Sequence, residues 1–237
     1  FNFKVVIKNM QVRIVPMDGG MPWYANVSDM VINTLMYVIG CSLLQTLTPC
    51  LVAYAVSKFN FKFNIFIDAL VMVVISLPIV GSSASELKLL RDLNLYDSML
   101  GMWIQKTNFA GLYYFVFCAT FKGVSKSYYE AAYIDGANEF VVMVIIGIPM
   151  VIYTFFAVFL LQFIAYWNDY QTIVLYLPSW PTLSYALFDL SQSTTQELNN
   201  TPTRMAAAMI IILPTLVIFS VFSKQLMGNI SMGGVKE

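Results

Sequence analysis

Histidine is absent from the 237 residues, and charge is scarce: 13 Lys and Arg with 13 Asp and Glu make up only 11% of the chain. Without an imidazole, a Ser–His–acid triad, a histidine metal centre and the commonest near-neutral proton carrier are excluded. The net charge is zero and the isoelectric point about 6.5, so no nucleic-acid partner is implied. No GxxxxGK[ST] loop occurs, so any nucleotide hydrolysis of that type belongs to another chain. The three cysteines, Cys41, Cys50 and Cys118, lie in apolar runs and read as small core hydrophobes, not metal ligands or a disulfide pair. The opening FNFKVVIKNMQVRIVP has apolar stretches too short for a secretory signal.

What is abundant is apolar surface. Hydrophobic residues make up 59% of the chain, where a soluble domain averages about 45–50% with about 25% charged. Spanning helices need about 20 mostly apolar residues, and five stretches qualify: Val31–Val56, Ile65–Val80, Met99–Phe121, Phe140–Tyr166 and Met205–Phe222. The expected fold is therefore all-α, a polytopic helical membrane protein. Gly40, Pro49, Pro78, Gly147, Pro149 and Pro214 fall inside these stretches and are compatible with kinked helices, because lipid leaves the backbone few alternatives.

Between the apolar stretches, SSASELKLLRDLNLYD (82–97) carries Leu87, Leu90 and Leu93 at helical spacing with charges between them, an amphipathic interfacial helix. The long segment 168–203 holds a second short amphipathic pattern at Leu183, Leu187 and Leu190. Lysines and arginines divide nearly evenly between the two sides, so charge does not set the orientation.

One short polar turn interrupts the apolar runs: SYYEAAYIDGANEF (127–140). Ser127 and Glu130 have the spacing of a capping box. A helix begun there reaches Asp135, Gly136 takes the left-handed C-terminal cap, and Asn138 caps a second helix running through Phe140 into the bilayer. Ala131 and Ala132 expose little side chain, so a partner's backbone could approach closely; an ordinary loop reads equally well on these residues alone.

The pattern Glu130-Ala131-Ala132, three residues, Gly136, nine residues, Ile146, then Ile148-Pro149 resembles the EAA loop of binding-protein-dependent ABC importer permeases. The resemblance extends to Asn33-Thr34-Leu35, to Ala53–Phe59, to YWNDY (166–170), to PTLS (181–184) and to the tail GNISMGGVKE. It is nearest the sugar-importer branch, which includes the shorter permease of the maltose transporter. The family's proline ahead of the EAA helix is missing here, and its Leu-Pro is Ile148-Pro149.

The resemblance implies a MetI-like permease fold in the bacterial plasma (inner) membrane. It implies that ATP is hydrolysed by two separate ATP-binding cassette subunits, that a second homologous permease completes the path, and that an extracellular or periplasmic sugar-binding protein delivers a sugar. It needs no metal or cofactor. Glu130, Ala131, Ala132, Asp135, Gly136, Ile146 and Pro149 become the ATPase-coupling set, with Gly233, Gly234 and Val235 a C-terminal ATPase contact. The family has about six spans against five here. The expectation is that a first span precedes residue 1, making 1–30 an outer-face segment, 31–226 the transmembrane domain (coupling loop 123–149, outer loop 168–203) and 227–237 a cytoplasmic tail. The outer loop is expected to meet the binding protein, with 191–203 at its sugar cleft.

Polar groups in apolar spans are costly unless paired, so they mark either helix–helix bonds or a lined path. Asn33, Tyr37, Gln45, Gln162, Trp167 and Asn168 are the candidates for a substrate path, with interhelical bonding and interfacial aromatics as the alternative for each. Other functions weighed are a permease for another delivered solute, a passive channel and an intramembrane enzyme. The last would need clustered acids, and Asp68 is the only acid close to hydrocarbon, with no evident partner in the sequence.

Overall fold

The computed structural model describes residues 6, 10–15, 20–59, 61–77, 81–192 and 201–227, with side chains through Ser220 in the last helix. Two compact units divide the chain: Phe1–Cys41, Gly81–Gln105 and Phe163–Val221 form one, and Ser42–Val80, Lys106–Gln162 and Phe222–Glu237 the other.

The first unit opens with a small departure from an all-helical fold. β1 (Val12–Ile14) pairs antiparallel with β2 (Trp23–Ala25), Val12 opposite Ala25 and Ile14 opposite Trp23. Val12 and Ile14 turn inward and Arg13 outward, the two-residue period of a half-buried strand. α1 (Val27–Lys58) follows. The Asn26 amide donates to Asp29 Oδ2 at 3.1 Å, the backward half of a capping box, and Gln11 Nε2 donates to Asn26 Oδ1, fastening the hairpin to the helix start.

The amphipathic helix expected from the leucine spacing is present as α2 (Ser83–Asp92). Leu90 is buried beneath it while Leu93, just past its end, is exposed. The expected span Met99–Phe121 is interrupted. α3 (Met99–Gln105) and α4 (Leu112–Lys122) are separate helices, because Lys106-Thr-Asn-Phe-Ala-Gly111 offers little to a helix and Gly111 is extended at the α4 N-cap.

The remaining helices of the first unit are α5 (Gln171–Tyr176), α6 (Leu183–Gln192) and α7 (Thr201–Met227); α6 is the second amphipathic helix read from its leucines. Glu86 Oε2 accepts from Gln105 Nε2 (3.0 Å) and Tyr176 Oη (3.2 Å), binding α2, α3 and α5 together. Asp97 does the same for the next turn. Its side chain accepts the Ser179 amide and its carbonyl accepts Trp180 Nε1.

In the second unit, α8 (Asn64–Ser76) is held to the end of α1 by Asn64 Nδ2, which donates to the Val56 carbonyl at 2.9 Å. Asp68 lies on α8, and its partner is Tyr114, whose hydroxyl donates to Asp68 Oδ1 at 2.6 Å. The acid that looked alone in the sequence is thus paired across 46 residues. Tyr114, Phe117, Cys118 and Phe121 of α4 pack with Cys50, Ala53, Tyr54 and Val71 in one core. None of the three cysteines is in a disulfide, and all are buried.

Two described helices, Val27–Lys58 and Thr201–Ser220, are long and apolar enough to cross a membrane; a bent pair, Glu139–Met150 with Ile152–Trp167, makes a third if counted as one span. The apolar helices Asn64–Ser76 and Leu112–Lys122 occupy two more of the five expected places. At 13 and 11 residues they rise roughly 20 Å and 17 Å, less than the roughly 30 Å hydrocarbon core.

Two close approaches in the first unit depend on missing side chains. A Cβ on Gly101 would lie 2.0 Å from the Leu95 carbonyl oxygen, and one on Gly40 would lie 2.1 Å from Trp103 Nε1. A backbone carbonyl yields less readily than an indole. We therefore expect Gly101→Ala to lower the melting temperature of the detergent-solubilised chain more than Gly40→Ala, with costs of about 1–3 kcal/mol for such overpacking.

Candidate coupling site and the polar clusters

The EAA segment forms a nine-residue helix, α9 (Lys126–Ile134). Its N-cap is Ser125, not Ser127: Ser125 is extended and its side-chain oxygen accepts from the Ser127 amide. Ser127 is already inside the helix, so Glu130 lies two residues too far along to complete a capping box. Glu130 is exposed, free of the capping task the sequence suggested for it.

The C-terminal end is where the sequence placed it. Gly136 has φ +82°, the Ala137 amide donates to the Ala132 carbonyl (3.0 Å), and the Gly136 amide donates to the Tyr133 carbonyl (3.0 Å). These two bonds around a left-handed residue are a Schellman cap. Asn138 then accepts from the Val141 amide at 2.9 Å and starts α10 (Glu139–Val142). The Tyr133 hydroxyl donates to Glu139, spanning the glycine. Burial and then that carboxylate raise the Tyr133 phenol above its ordinary pKa, so the phenol keeps the proton it donates.

The two alanines part company. Ala132 is buried with Tyr129 against the second unit's core, whereas Ala131 is exposed. The outward face carries Tyr128, Ala131 and Ile134, the last 87% exposed. Asp135 and Gly136 lie exposed at the tip. The inner face is gripped from α1: Lys58 Nζ lies 3.5 Å from the Tyr129 ring centroid and 4.7 Å from that of Tyr133, cation–π distances. Tyr54 meets Phe121 edge-on at 5.4 Å and Tyr129 at 6.4 Å.

Beyond α10 the expected span Phe140–Tyr166 is broken. Met143–Gly147 is a π-helical turn, followed by α11 (Ile148–Met150), a break at Val151 and α12 (Ile152–Trp167). The two limbs differ in direction by 71°. Pro149 has no amide hydrogen and its ring conflicts with the carbonyl four residues back; the wider π turn accommodates this. Ile146 is half-buried in that turn. Gly147 faces Tyr54 so closely that a Cβ would lie 2.6 Å from the ring.

The substrate-path candidates divide between the two units. Gln45 and Gln162, both half-buried, belong to the second unit, and the other four to the first. Asn33 Nδ2 donates to the Pro181 carbonyl (3.1 Å). The buried Tyr37 donates to Asp169 Oδ2 (2.9 Å) and meets Tyr166 edge-on. Trp167 Nε1 donates to the Ile211 carbonyl (3.0 Å), and Asn168 Nδ2 to the Ile164 carbonyl (2.8 Å).

The sequence missed Asp169, which also accepts the Thr172 amide (3.0 Å), and Lys58, whose signal is the pair Tyr129 and Tyr133 at i and i+4. Gly233, Gly234 and Val235 lie outside the described residues, as do 193–200 within the outer loop.

A family model described as "Binding-protein-dependent transport system inner membrane component" matches residues 23–227. The chain is 25% identical over 204 residues to the arabinooligosaccharides transport system permease protein AraQ of Bacillus subtilis, covering 86% of this chain and 72% of that protein. It is 24% identical over 216 residues to the melibiose/raffinose/stachyose import permease protein MelC of the same organism, covering 90% and 77%. A bacterial ABC transporter involved in the import of the acidic polysaccharide alginate has a solved chain of the same fold, with TM-score 0.69 at 22% identity over 84% of this chain and 74% of that one. The chain belongs to the binding-protein-dependent transport inner membrane component family. It is an ABC importer permease, a multi-pass protein of the bacterial inner membrane.

Gly136 carries two substitutions with opposite expectations. An added Cβ meets nothing within 4 Å, so only the left-handed backbone is at stake. Gly136→Val should destabilise the turn by about 1–2 kcal/mol, whereas Gly136→Asn should cost less, since Asn visits this region. Thermal unfolding of the purified chain distinguishes them. Tyr37→Phe strips Asp169 of a buried donor and should cost about 1–3 kcal/mol in the same measurement.

Proposed function

We propose that this chain is one permease of an ATP-driven sugar importer, and that α9 receives the force. Relatives named for arabinooligosaccharides and for melibiose, raffinose and stachyose support an oligosaccharide as the cargo. The partners are a second homologous permease, two ATP-binding cassette ATPase subunits and an extracellular or periplasmic sugar-binding protein. The chain's role is mechanical; ATP is hydrolysed by the ATPases.

One observation carries the coupling role: Ile134 stands 87% exposed on a helix already packed on its other face. Ala131 beside it leaves room for a close partner backbone, and Tyr128 is half-exposed on the same side. Glu130 and Asp135 border this face as charges for basic groups of the ATPase.

A push on α9 passes through the Schellman turn and the Tyr133–Glu139 bond into α10. It then meets the π turn, with Ile146 and Pro149, and the 71° bend. The span therefore acts as a crank with a fixed elbow instead of a straight piston. Gly233, Gly234 and Val235 are proposed as a second ATPase contact.

The substrate path is proposed to draw on Asn33, Tyr37, Gln45, Gln162, Trp167 and Asn168. The outer loop, 168–203, is the proposed contact for the binding protein.

Ile134→Asp should abolish co-purification of the ATPase and uptake of labelled oligosaccharide, while membrane levels of the chain stay unchanged. A central interface anchor is worth at least about 2 kcal/mol, a loss of roughly thirtyfold in affinity. Unchanged ATPase retention would refute the coupling role. Retention with no uptake of any sugar by the unmodified transporter would refute the cargo alone.

A further inference from the structure

We infer that the cavity bounded by the end of α1, the end of α4 and the helix α9 binds the phosphate headgroup of an anionic phospholipid. The inference rests on the reading that α9 faces the cytoplasmic leaflet. The cavity holds about 270 Å³, and Lys58, Lys122 and Lys126 all line it, against one carboxylate, Glu130. Its walls are aromatic: Tyr54, Phe121, Tyr129 and Tyr133. Tyr54 is 4% exposed, and its hydroxyl is buried with no hydrogen-bond partner. An unmade bond on a buried hydroxyl is costly, and an acceptor oxygen in the cavity would complete it.

The three lysines do not all have the same ordinary explanation. Lys58 and Lys122 end α1 and α4, where a cation complements the helix dipole. Lys126 is the first residue of α9, whose first turn contains no acid. A cation there opposes the dipole. An anion in the cavity would be favoured by the α9 N-terminus and by all three ammonium groups.

The same site also has the setting of a lipid. α1 is a membrane-crossing helix that ends at Lys58, the level at which basic side chains meet headgroups. Just beyond it Phe61, Phe63, Ile65 and Phe66 are each more than half exposed. They lead into α8, which Asn64 ties to the last turns of α1. These residues offer apolar surface to acyl chains beside a cationic cavity. Because Tyr129, Glu130 and Tyr133 form one wall, a bound headgroup would brace α9 against the unit's core, and the lipid's charge would tune coupling.

The test uses the full chain in nanodiscs of equal parts phosphatidylglycerol and phosphatidylcholine, with retained lipid identified by native mass spectrometry after detergent extraction. The unmodified chain should retain phosphatidylglycerol in preference. Lys122→Gln with Lys126→Gln should cut that preference about fivefold for each lysine, the equivalent of about 1 kcal/mol per basic group. Lys122→Arg with Lys126→Arg should keep it, and so should Ile134→Asp, which separates this site from the ATPase face.

Equal retention of the two lipids by the unmodified chain overturns the proposal, as does an undiminished preference in the double Gln variant. Inorganic phosphate should not displace the lipid; if it does so completely, the site belongs to a free anion and the lipid assignment fails. If the double Gln variant instead sheds the ATPase with its lipid retention intact, the cavity serves a protein carboxylate and the assignment fails equally.

Discussion

The bond from the Ala137 amide to the Ala132 carbonyl closes a turn that only a left-handed residue allows, and the rest of the EAA segment is arranged around it. Gly136 supplies that conformation without strain. Because the turn is closed by backbone, Tyr133 can cross it to Glu139 and Asn138 can open the next helix at once. A looser connection would let α9 swing independently of the span. The inner face of α9 then needs a firm seat, which Tyr129 and Ala132 find in the unit's core and Lys58 reinforces from above two aromatic rings. What remains outward is Tyr128, Ala131 and the bare Ile134.

The other family-like stretches perform a different task. Asn33 and Thr34 bond to the PTLS segment: the Asn33 amide group to the Pro181 carbonyl, and the Leu183 amide to Thr34 Oγ1. Thr182 and Ser184 share a hydrogen bond beside them. In YWNDY, Tyr166 meets Tyr37, Trp167 bonds the Ile211 carbonyl, Asp169 takes the Tyr37 hydroxyl, and Tyr170 stacks on Phe188 at 4.6 Å. Two motifs far apart in sequence are thus halves of one fastening. Polar groups buried near lipid must be satisfied within the protein, and here each half satisfies the other. This physical demand explains their polar character without any appeal to substrate.

What was legible in the sequence is what local chemistry decides. Gly136 and Asn138 were placed by cap rules, α2 and α6 by leucine spacing, and the apolar segments by hydropathy. The misreadings have physical reasons. Ser125 and Ser127 are both competent caps, and which one serves depends on where the chain turns out of α4, a tertiary matter. The inward role of Ala132 and the outward role of Ala131 follow from a core that sequence spacing cannot locate. Asp68 with Tyr114, and Tyr37 with Asp169, pair over 46 and 132 residues. The gap between α3 and α4 was masked by flanking residues apolar enough to fill a hydropathy window. The hairpin β1–β2 is too short for alternation to stand out.

The π turn at Met143–Gly147 holds one residue more than an α-helical turn would need. Each residue added in α conformation rotates everything beyond it by about 100°, but a π turn takes up such an excess within its wider ring. Removing one residue there would force a regular ladder on a segment where Pro149 lacks the amide hydrogen to complete it. A length irregularity and the proline beside it are therefore two halves of one local accommodation, and a change at Pro149 would reach the turn as surely as a deletion.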